Sequence, residues 1–411
     1  MVQKLLFIGF VASAALFWPG LLRPDSIWQM QQGISGVFND FHPPMLGLVL
    51  GLFKGPVPIF LVHLALYWGA VAIYANAQKP KAKWYLLIAI FPPVFSYQLL
   101  VIKDIAFVNS YVFACAWLHF YSMRGIRPSN LSFSCWLVVV FYGTASAYQA
   151  AIALPWLCLW LGKIYCPGNA KKWIYCGVGV FIALISSVVI FNKTIATPCY
   201  SNQHLKLYDL SGISKQIDRP IFASYLVKNP NFDFKRIKNL YNTKRVDDLT
   251  FIQDTPLPQA INDIQREELQ SAWINAITEH PLAYLRHRLG IFWNQLTVSF
   301  LKRPSKVRGD TQTMVLKALG WLGDSWIFMG AQWLMACIGY VIIQFFLLYK
   351  GFKHFNEGPR YLSLFFQNAS ALSLIAALFF VANAAEARYA YLTVAMCCFS
   401  FPSLLSSSRK Q

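Results

Sequence analysis

The chain has 411 residues, of which 56% are apolar and 13% are charged, whereas about a quarter of the residues in a usual globular domain are charged. This composition excludes an ordinary soluble protein. Several apolar runs reach the ~20 residues that cross a hydrocarbon core, so we expect an all-α polytopic membrane protein. The formal net charge of +19 lies largely in short loops between these runs, which is typical of membrane topology and argues against a nucleic-acid-binding protein.

The first half of the chain predicts seven membrane spans. The first covers about residues 5–22 and is expected to remain uncleaved, because Trp18-Pro19-Gly20 is a poor signal-peptidase site. The polar stretch 23–58 follows and contains a short interfacial helix. Further spans are expected at about 58–75, 84–102 and 104–121, in two pieces within 131–163, and at 173–191. The 131–163 block is interrupted by a Gly-Thr-Ala-Ser sequence and is alternatively one re-entrant element.

Residues 192–324 have a different composition, with 12 of the 17 acidic residues and 18 basic ones. We expect a folded, mostly helical segment on the external side of the membrane. Within it, residues 258–279 predict an amphipathic helix whose apolar stripe consists of Ile261, Ile264, Leu269, Trp273 and Ile277. Residues 284–300 predict a second helix along the membrane surface, with Arg286, Arg288 and Lys302 near lipid headgroups.

Three more spans complete a topology of about ten transmembrane helices with both termini in the cytoplasm. They are expected at about 325–349, then up to residue 382, and finally up to residue 405. The predicted domains are 1–191 with seven spans, 192–324 outside the membrane, and 325–411 with three spans. This topology brings the polar stretch, Lys103-Asp104 and Glu386–Arg388 to the external face. No internal repeat is visible, which weakly disfavours transporter folds built from duplicated halves.

Asp25 stands where the chain leaves the first span. It either caps a helix over Ser26–Gln32 that Gly33 ends, or it is available for chemistry, because Ser26 and Gln29 already form an S-x-x-Q capping box. In the second interpretation its carboxylate acts as a general base. The residues alone leave both interpretations open.

Asp40 and His42 precede a rigid proline pair. They belong either to a solvated turn or to the same site as Asp25. Together with Asp25 and Asp104 they are also candidate ligands for a divalent cation, although no ligand spacing supports a metal specifically.

Two further groups of polar residues flank predicted spans. In the first, either Asp104 caps the following helix and Lys103 extends to headgroups, or the two offer an acid and a cation to a phosphate. In the second, Glu386, Arg388 and Tyr389 form either an interfacial anchor with Glu386 paired to Arg388, or a phosphate site, for which a guanidinium is well shaped.

Taken together, these features resemble the polytopic GT-C glycosyltransferases, the superfamily that includes protein O-mannosyltransferases and bacterial enzymes that use polyprenyl-phosphate sugars. The matching features are Asp25 after span 1, the His42-Pro43-Pro44 end of the polar stretch, the interfacial helix 45–53, Asp104 after span 3, and Arg388-Tyr389 at the mouth of the last span. The resemblance covers most of the chain in architecture but only residues 23–75 in sequence. Many relatives carry two adjacent acids where this chain has Asp25-Ser26, so the choice between Asp25 and Asp40 as base, and any use of a divalent cation, stay open.

The resemblance implies a glycosyltransferase of the bacterial inner membrane with its active site on the periplasmic face. A polyprenyl-phosphate sugar would enter from the bilayer, and an acceptor hydroxyl on an envelope glycan, lipid or protein would lose its proton to a carboxylate. The implied site residues are Asp25 and Asp40 for catalysis and, for the donor phosphate and substrate, His42, Lys103, Asp104, Glu386, Arg388 and Tyr389. The alternatives are a lipid-linked glycan polymerase or ligase, and a non-enzymatic glycolipid transporter.

Overall fold

The computed structural model describes residues 2–298 and 336–405, which are helical for most of their length. The end of the predicted external segment (299–324), the first part of predicted span 8 (325–335) and the C-terminal residues 406–411 lie outside the described residues. Packing divides the described chain into two units. The first unit comprises the described residues of Met1–Pro198, Ser299–Leu374 and Arg388–Gln411, and the second unit comprises Cys199–Val298 and Ile375–Ala387.

The first unit is a bundle of helices with one short pair of strands. Its elements before the second unit are α1 (Val2–Phe17), α2 (Pro24–Ser35), β1 (Phe38–Asn39), α3 (Pro44–Leu52), α4 (Val57–Ala77), α5 (Ala82–Ala89), α6 (Pro92–Phe95), α7 (Lys103–Arg124), α8 (Asn130–Ser146), α9 (Ala150–Tyr165), α10 (Ala170–Ile195) and β2 (Ala196–Thr197). The second unit contains α11 (Gln203–Ile217), α12 (Ser224–Val227), α13 (Phe234–Leu240), α14 (Asp247–Thr250), α15 (Asp263–Glu279) and α16 (Pro281–Thr297). The later elements are α17 (Cys337–Lys353), α18 (Pro359–Val381) and α19 (Tyr391–Ser400), with a 3₁₀ turn at Ala387–Ala390 before α19.

Three of the described helices, α4, α10 and α18, are long and apolar enough to cross a membrane. The apolar side chains of α10 are largely exposed in the structure, as at Ile182 (55%) and Ile190 (64%). An exposed apolar surface of this kind, on a helix of this length, is typical of a helix that faces lipid. The coarser prediction, a helical chain with membrane-spanning segments, is supported, whereas ten crossings stay a prediction.

Two predicted spans are not continuous helices. Span 3 is broken into α5, α6 and a 3₁₀ turn at Ser96–Leu99, because Pro92-Pro93 lacks the N–H groups that a helix interior needs. The last predicted span is helical as far as Ser403 but only its middle is α-helix, because the 3₁₀ turn Ala387–Ala390 leads into the ten-residue helix α19 and a second 3₁₀ turn follows at Phe401–Ser403. The 131–163 block, in contrast, resolves into two separate helices, α8 and α9.

Glycines bring α2 and α3 into close contact at the base of the polar stretch. A Cβ on Gly33 would lie 1.9 Å from the carbonyl oxygen of Gly47, and one on Gly51 would lie 2.2 Å from the carbonyl carbon of Gly33. The sequence predicted that Gly33 ends this helix, and that prediction is wrong. Gly33 lies inside α2 and allows the two backbones to touch, and the helix ends at Gly36, whose φ is +73°.

The second unit is organised around a buried carboxylate. Asp209 on α11 accepts hydrogen bonds from His287 Nε2 (2.9 Å), Arg288 Nη2 (2.7 Å) and Trp273 Nε1 (2.8 Å). His287 Nδ1 lies 2.6 Å from the Tyr241 hydroxyl. Burial lowers the pKa of His287, against the opposing hydrogen bond and charge of Asp209. The neutral imidazole therefore donates from Nε2 and accepts from Tyr241.

This network corrects two expectations about the external segment. Arg288 does not reach headgroups, because it is fully buried against Asp209. Helix α15 begins at Asp263, where the Asn262 side chain accepts a hydrogen bond from the backbone of the first turn. Of the predicted apolar stripe, Leu269 is buried, whereas Ile264 is 71% exposed.

Within the second unit, side chains of α16 hold the short segment 382–386 by its backbone. Arg288 Nη1 donates to the Ala382 carbonyl at 2.9 Å. The Gln295 amide donates to the Glu386 carbonyl at 3.0 Å and accepts from the Glu386 N–H at 3.1 Å. Three hydrogen bonds from the side chains of α16 thus fix this segment within the second unit.

Candidate functional site

Asp25 lies in the first turn of α2, directly after Pro24. The predicted capping box is wrong, because Arg23 is the N-cap residue and makes no side-chain cap. Ser26 is instead buried inside the helix, and the Gln29 amide donates to the Pro43 carbonyl at 3.2 Å. The S-x-x-Q sequence therefore ties α2 to the proline turn.

Arg388 joins two carboxylates that are far apart in sequence. Its Nη1 donates to Asp25 Oδ2 at 2.8 Å and lies 3.7 Å from Asp104 Oδ2. The Arg388 side chain is 11% exposed, Asp25 is 33% exposed and Asp104 is 1% exposed. One guanidinium thus compensates two negative charges at the boundary between buried and accessible surface.

Asp104 is held by a residue that the sequence did not single out. It lies in the first turn of α7, whose N-cap makes no side-chain hydrogen bond, so it is not the cap residue. Its Oδ1 accepts from Gln149 Nε2 at 2.8 Å. Gln149 lies in the break between α8 and α9, so this break places an amide donor at the site.

Lys103 and His42 form the second half of the site. Lys103 Nζ lies 2.7 Å from His42 Nδ1. An ammonium has only donors, so Nδ1 accepts and the imidazole proton resides on Nε2. Lys103 therefore does not extend to headgroups, and it presents its charge inside the site.

Burial and neighbouring charges shift the pKa values of His42, Lys103 and Asp25. Burial lowers the pKa of His42 to about 3, with a further decrease from the Lys103 charge, so the imidazole is neutral. Burial also lowers the pKa of Lys103, which Asp104 opposes. For Asp25, burial raises the pKa, but the charge and hydrogen bond of Arg388 outweigh it, and the net pKa is below its usual value.

The guanidinium itself stays charged. Burial alone disfavours its charged form, but Tyr389, Asp104 and Asp25 together raise the pKa of Arg388 well above its usual value. Tyr389 presents its ring 5.2 Å from the Arg388 guanidinium carbon. Shifted pKa values concentrated in one partly accessible cluster are typical of a functional site.

Aromatic rings border this cluster. Trp28, Phe41 and His42 lie edge to face, with ring centroids 5.8 Å apart for Trp28 and Phe41 and 5.6 Å apart for Trp28 and His42. All three rings are half-buried. Such rings offer a firm apolar surface beside the polar groups.

The other predicted residues have separate positions. Asp40 is held through its backbone, whose N–H donates to the Thr197 carbonyl at 3.0 Å and whose carbonyl accepts from the Tyr148 hydroxyl at 2.8 Å. Glu386 belongs to the second unit, where Gln295 binds its backbone. The geometry therefore favours Asp25 over Asp40 as the acidic partner of Arg388.

A metal centre gains no support from this arrangement. Within residues 2–298 and 336–405, no group of three or more His, Cys, Asp or Glu side chains is placed to hold a metal ion. The positive charge beside Asp25 and Asp104 comes from Arg388 instead.

No protein-family model, no curated protein and no solved structure matches this chain.

Proposed function

We propose that this chain is a membrane glycosyltransferase that moves a sugar from a polyprenyl-phosphate donor to a hydroxyl of a cell-envelope acceptor on the external face. The observation that carries the proposal is the cluster in which Asp25 and Asp104 share Arg388 beside Lys103. Two cations that are already desolvated suit a phosphate group. A partly accessible carboxylate in the same cluster suits the removal of a proton from a hydroxyl.

The proposed reaction is a displacement at the anomeric carbon. Asp25 takes the proton of the acceptor hydroxyl while the acceptor oxygen forms a bond to the anomeric carbon. The bond between that carbon and the phosphate oxygen breaks, and its electron pair leaves with the phosphate. Arg388 and Lys103 stabilise the charge that develops on the leaving phosphate, so no general acid is required.

The remaining parts of the site fit the same substrates. The half-buried rings of Trp28 and Phe41 offer an apolar surface for one face of a sugar. Membrane-crossing helices of the kind formed by α4, α10 and α18 would place the site beside the bilayer that contains the polyprenyl chain. A polymerase or ligase mechanism that depends on arginines of the external segment gains no support from Arg288, because its guanidinium is buried against Asp209.

The proposal is tested by mass spectrometry of the cell-surface glycans of a strain that lacks this protein. Loss of one sugar from an otherwise complete glycan is the expected result. Shortened chains would instead indicate polymerisation, and intracellular accumulation of finished units would indicate transport.

Complementation then assigns the base. Asp25→Asn should fail to restore the missing sugar, whereas the wild type should restore it. Asp263→Asn is the matched control, because Asp263 is an exposed acid of the second unit. Full restoration by Asp25→Asn, at wild-type protein levels, would remove Asp25 as the base, and a failure limited to Asp40→Asn would transfer that role to Asp40.

A further inference from the structure

A cavity of about 360 Å³ lies in the first unit at the opposite end of α7 from the candidate site. It lies where α7, α9 and α17 end and α18 begins. Its wall is mainly apolar, as at Ile126, Ile164 and Leu362. Among the described residues that line it, Lys163 carries the only charge.

The Lys163 ammonium is held by aromatic rings. Its Nζ lies 5.8 Å from the ring centroid of Trp173 and 5.6 Å from that of Phe355. Within residues 2–298 and 336–405, no carboxylate forms an ion pair with it. Cation–π contacts orient an ammonium but leave its charge uncompensated, so the cavity presents a positive charge on an otherwise apolar wall.

The surroundings add to this positive potential. The three stretches whose residues line the cavity, 121–126, 163–167 and 355–362, contain three Lys or Arg residues and one acidic residue, Glu357. Glu357 is in turn bound to His354 at 2.8 Å. Basic pockets between membrane helices on the cytoplasmic side are typical binding sites for acidic lipid headgroups.

Helix α7 sets the depth of the cavity relative to the site. It has 22 residues and is therefore about 33 Å long, which is close to the ~30 Å thickness of a hydrocarbon core. Asp104 lies in its first turn and the cavity lies at its last turn. If the candidate site faces outward, the cavity opens at the level of the inner leaflet.

We propose that this cavity binds the phosphate headgroup of an anionic phospholipid, with Lys163 contacting the phosphate. The apolar wall then accommodates the glycerol and the first methylene groups of an acyl chain. A free phosphate ion offers the same chemistry to Lys163 but nothing to Ile126 or Ile164. The mixed lining therefore favours a lipid.

The test is thermal unfolding of the purified full-length protein in dodecyl maltoside, followed by tryptophan fluorescence. Dioleoylphosphatidylglycerol, dioleoylphosphatidylcholine and sodium phosphate are titrated separately. The variants are Lys163→Gln, which removes the charge, and Ile126→Trp, which fills the cavity at unchanged charge. Lys171→Gln is the matched control, because Lys171 is an exposed lysine on the same side that does not line the cavity.

Phosphatidylglycerol should raise the unfolding temperature of the wild type in a saturable way. Lys163→Gln should weaken this binding about fivefold, Ile126→Trp should also weaken it, and Lys171→Gln should leave it unchanged. Equal effects of phosphatidylglycerol and phosphatidylcholine would overturn the proposal that the bound headgroup is anionic. Saturable stabilisation by sodium phosphate alone would overturn the proposal that the ligand is a lipid. Equally weakened binding of phosphatidylglycerol in Lys163→Gln and Lys171→Gln would show that general surface charge, and not the cavity, attracts the lipid.

Discussion

Arg388→Gln and Asp25→Asn should destabilise the first unit unequally, because one guanidinium serves two carboxylates. Asp25 has a direct hydrogen bond from Arg388 at 2.8 Å, and Asp104 lies 3.7 Å from the same nitrogen. Removing Asp25 leaves Arg388 with a second carboxylate. Removing Arg388 leaves two negative charges facing each other.

The exposed fractions set the magnitudes. Breaking a buried ion pair by removing one partner costs roughly 3–5 kcal/mol, and an exposed pair contributes roughly 0–1 kcal/mol. Asp25 is 33% exposed and Asp104 is 1% exposed. We therefore expect about 1 kcal/mol for Asp25→Asn and about 3 kcal/mol for Arg388→Gln.

The assay is a double-mutant cycle measured by denaturant titration in mixed micelles, with helix content followed by circular dichroism. The double variant should cost about 1 kcal/mol less than the sum of the two single variants, because one of the repelling carboxylates is absent. Arg388→Lys is the control that keeps the charge but removes the planar fork, and it should fall between the wild type and Arg388→Gln. Equal costs for the two single variants, or strict additivity, would contradict the shared-guanidinium geometry.

Three further predictions use the same unfolding measurement. Asp209→Asn should cost about 3 kcal/mol, because it leaves a buried guanidinium without its counter-charge, whereas the exposed Asp263→Asn should cost under about 0.5 kcal/mol. Gln149→Ala should cost about 2 kcal/mol, because the buried Asp104 carboxylate loses its amide donor. The pKa of His42 is about 3 in the folded protein against 6.5 when unfolded, so the unfolded state gains a proton that the folded state does not bind. The contribution of neutral His42 to the free energy of unfolding is therefore fully present above pH 6.5 and is lost as the pH falls toward 3. At pH 5.5 the wild type should have lost about 1.4 kcal/mol that the variant His42→Gln, which has no titrating imidazole, keeps.

The grouping of the site residues followed from topology more than from local pattern. Arg388 lies 285 positions after Lys103, and the expectation that both share a face with Asp25 rests on basic loops that are predicted to lie in the cytoplasm. The structure brings the three side chains into one cluster, whereas the topology itself stays a prediction. Gln149 could not be found in this way, because an amide in a helix break carries no charge, period or motif.

Local motifs were less informative where a tertiary contact competed with them. The S-x-x-Q sequence has the form of a capping box, but Gln29 uses its amide on the Pro43 carbonyl. Gly33 has the form of a helix stop, but it allows α3 to approach. Both signals depend on groups outside the window in which the pattern is visible.

Hydropathy and charge failed for a related reason at two places. The mean hydropathy of a window across Pro92-Pro93 is still that of a membrane span, although the two missing N–H groups break the helix there. Arg288 was expected at headgroups because it belongs to a helix that was predicted to lie along the membrane surface. Its partner Asp209 is 79 positions away, and nothing local indicates that they meet.

The contact that prepares Asp25 for its proposed role also restrains it. Arg388 lowers the pKa of Asp25, which makes the carboxylate a weak base while the pair is closed. A donor phosphate bound by Arg388 would take up part of the positive charge, and the pKa of Asp25 would rise, each unit corresponding to about 1.4 kcal/mol. Deprotonation of the acceptor should therefore follow donor binding. A base at Asp40, whose position depends on Thr197 and Tyr148, would give no such order.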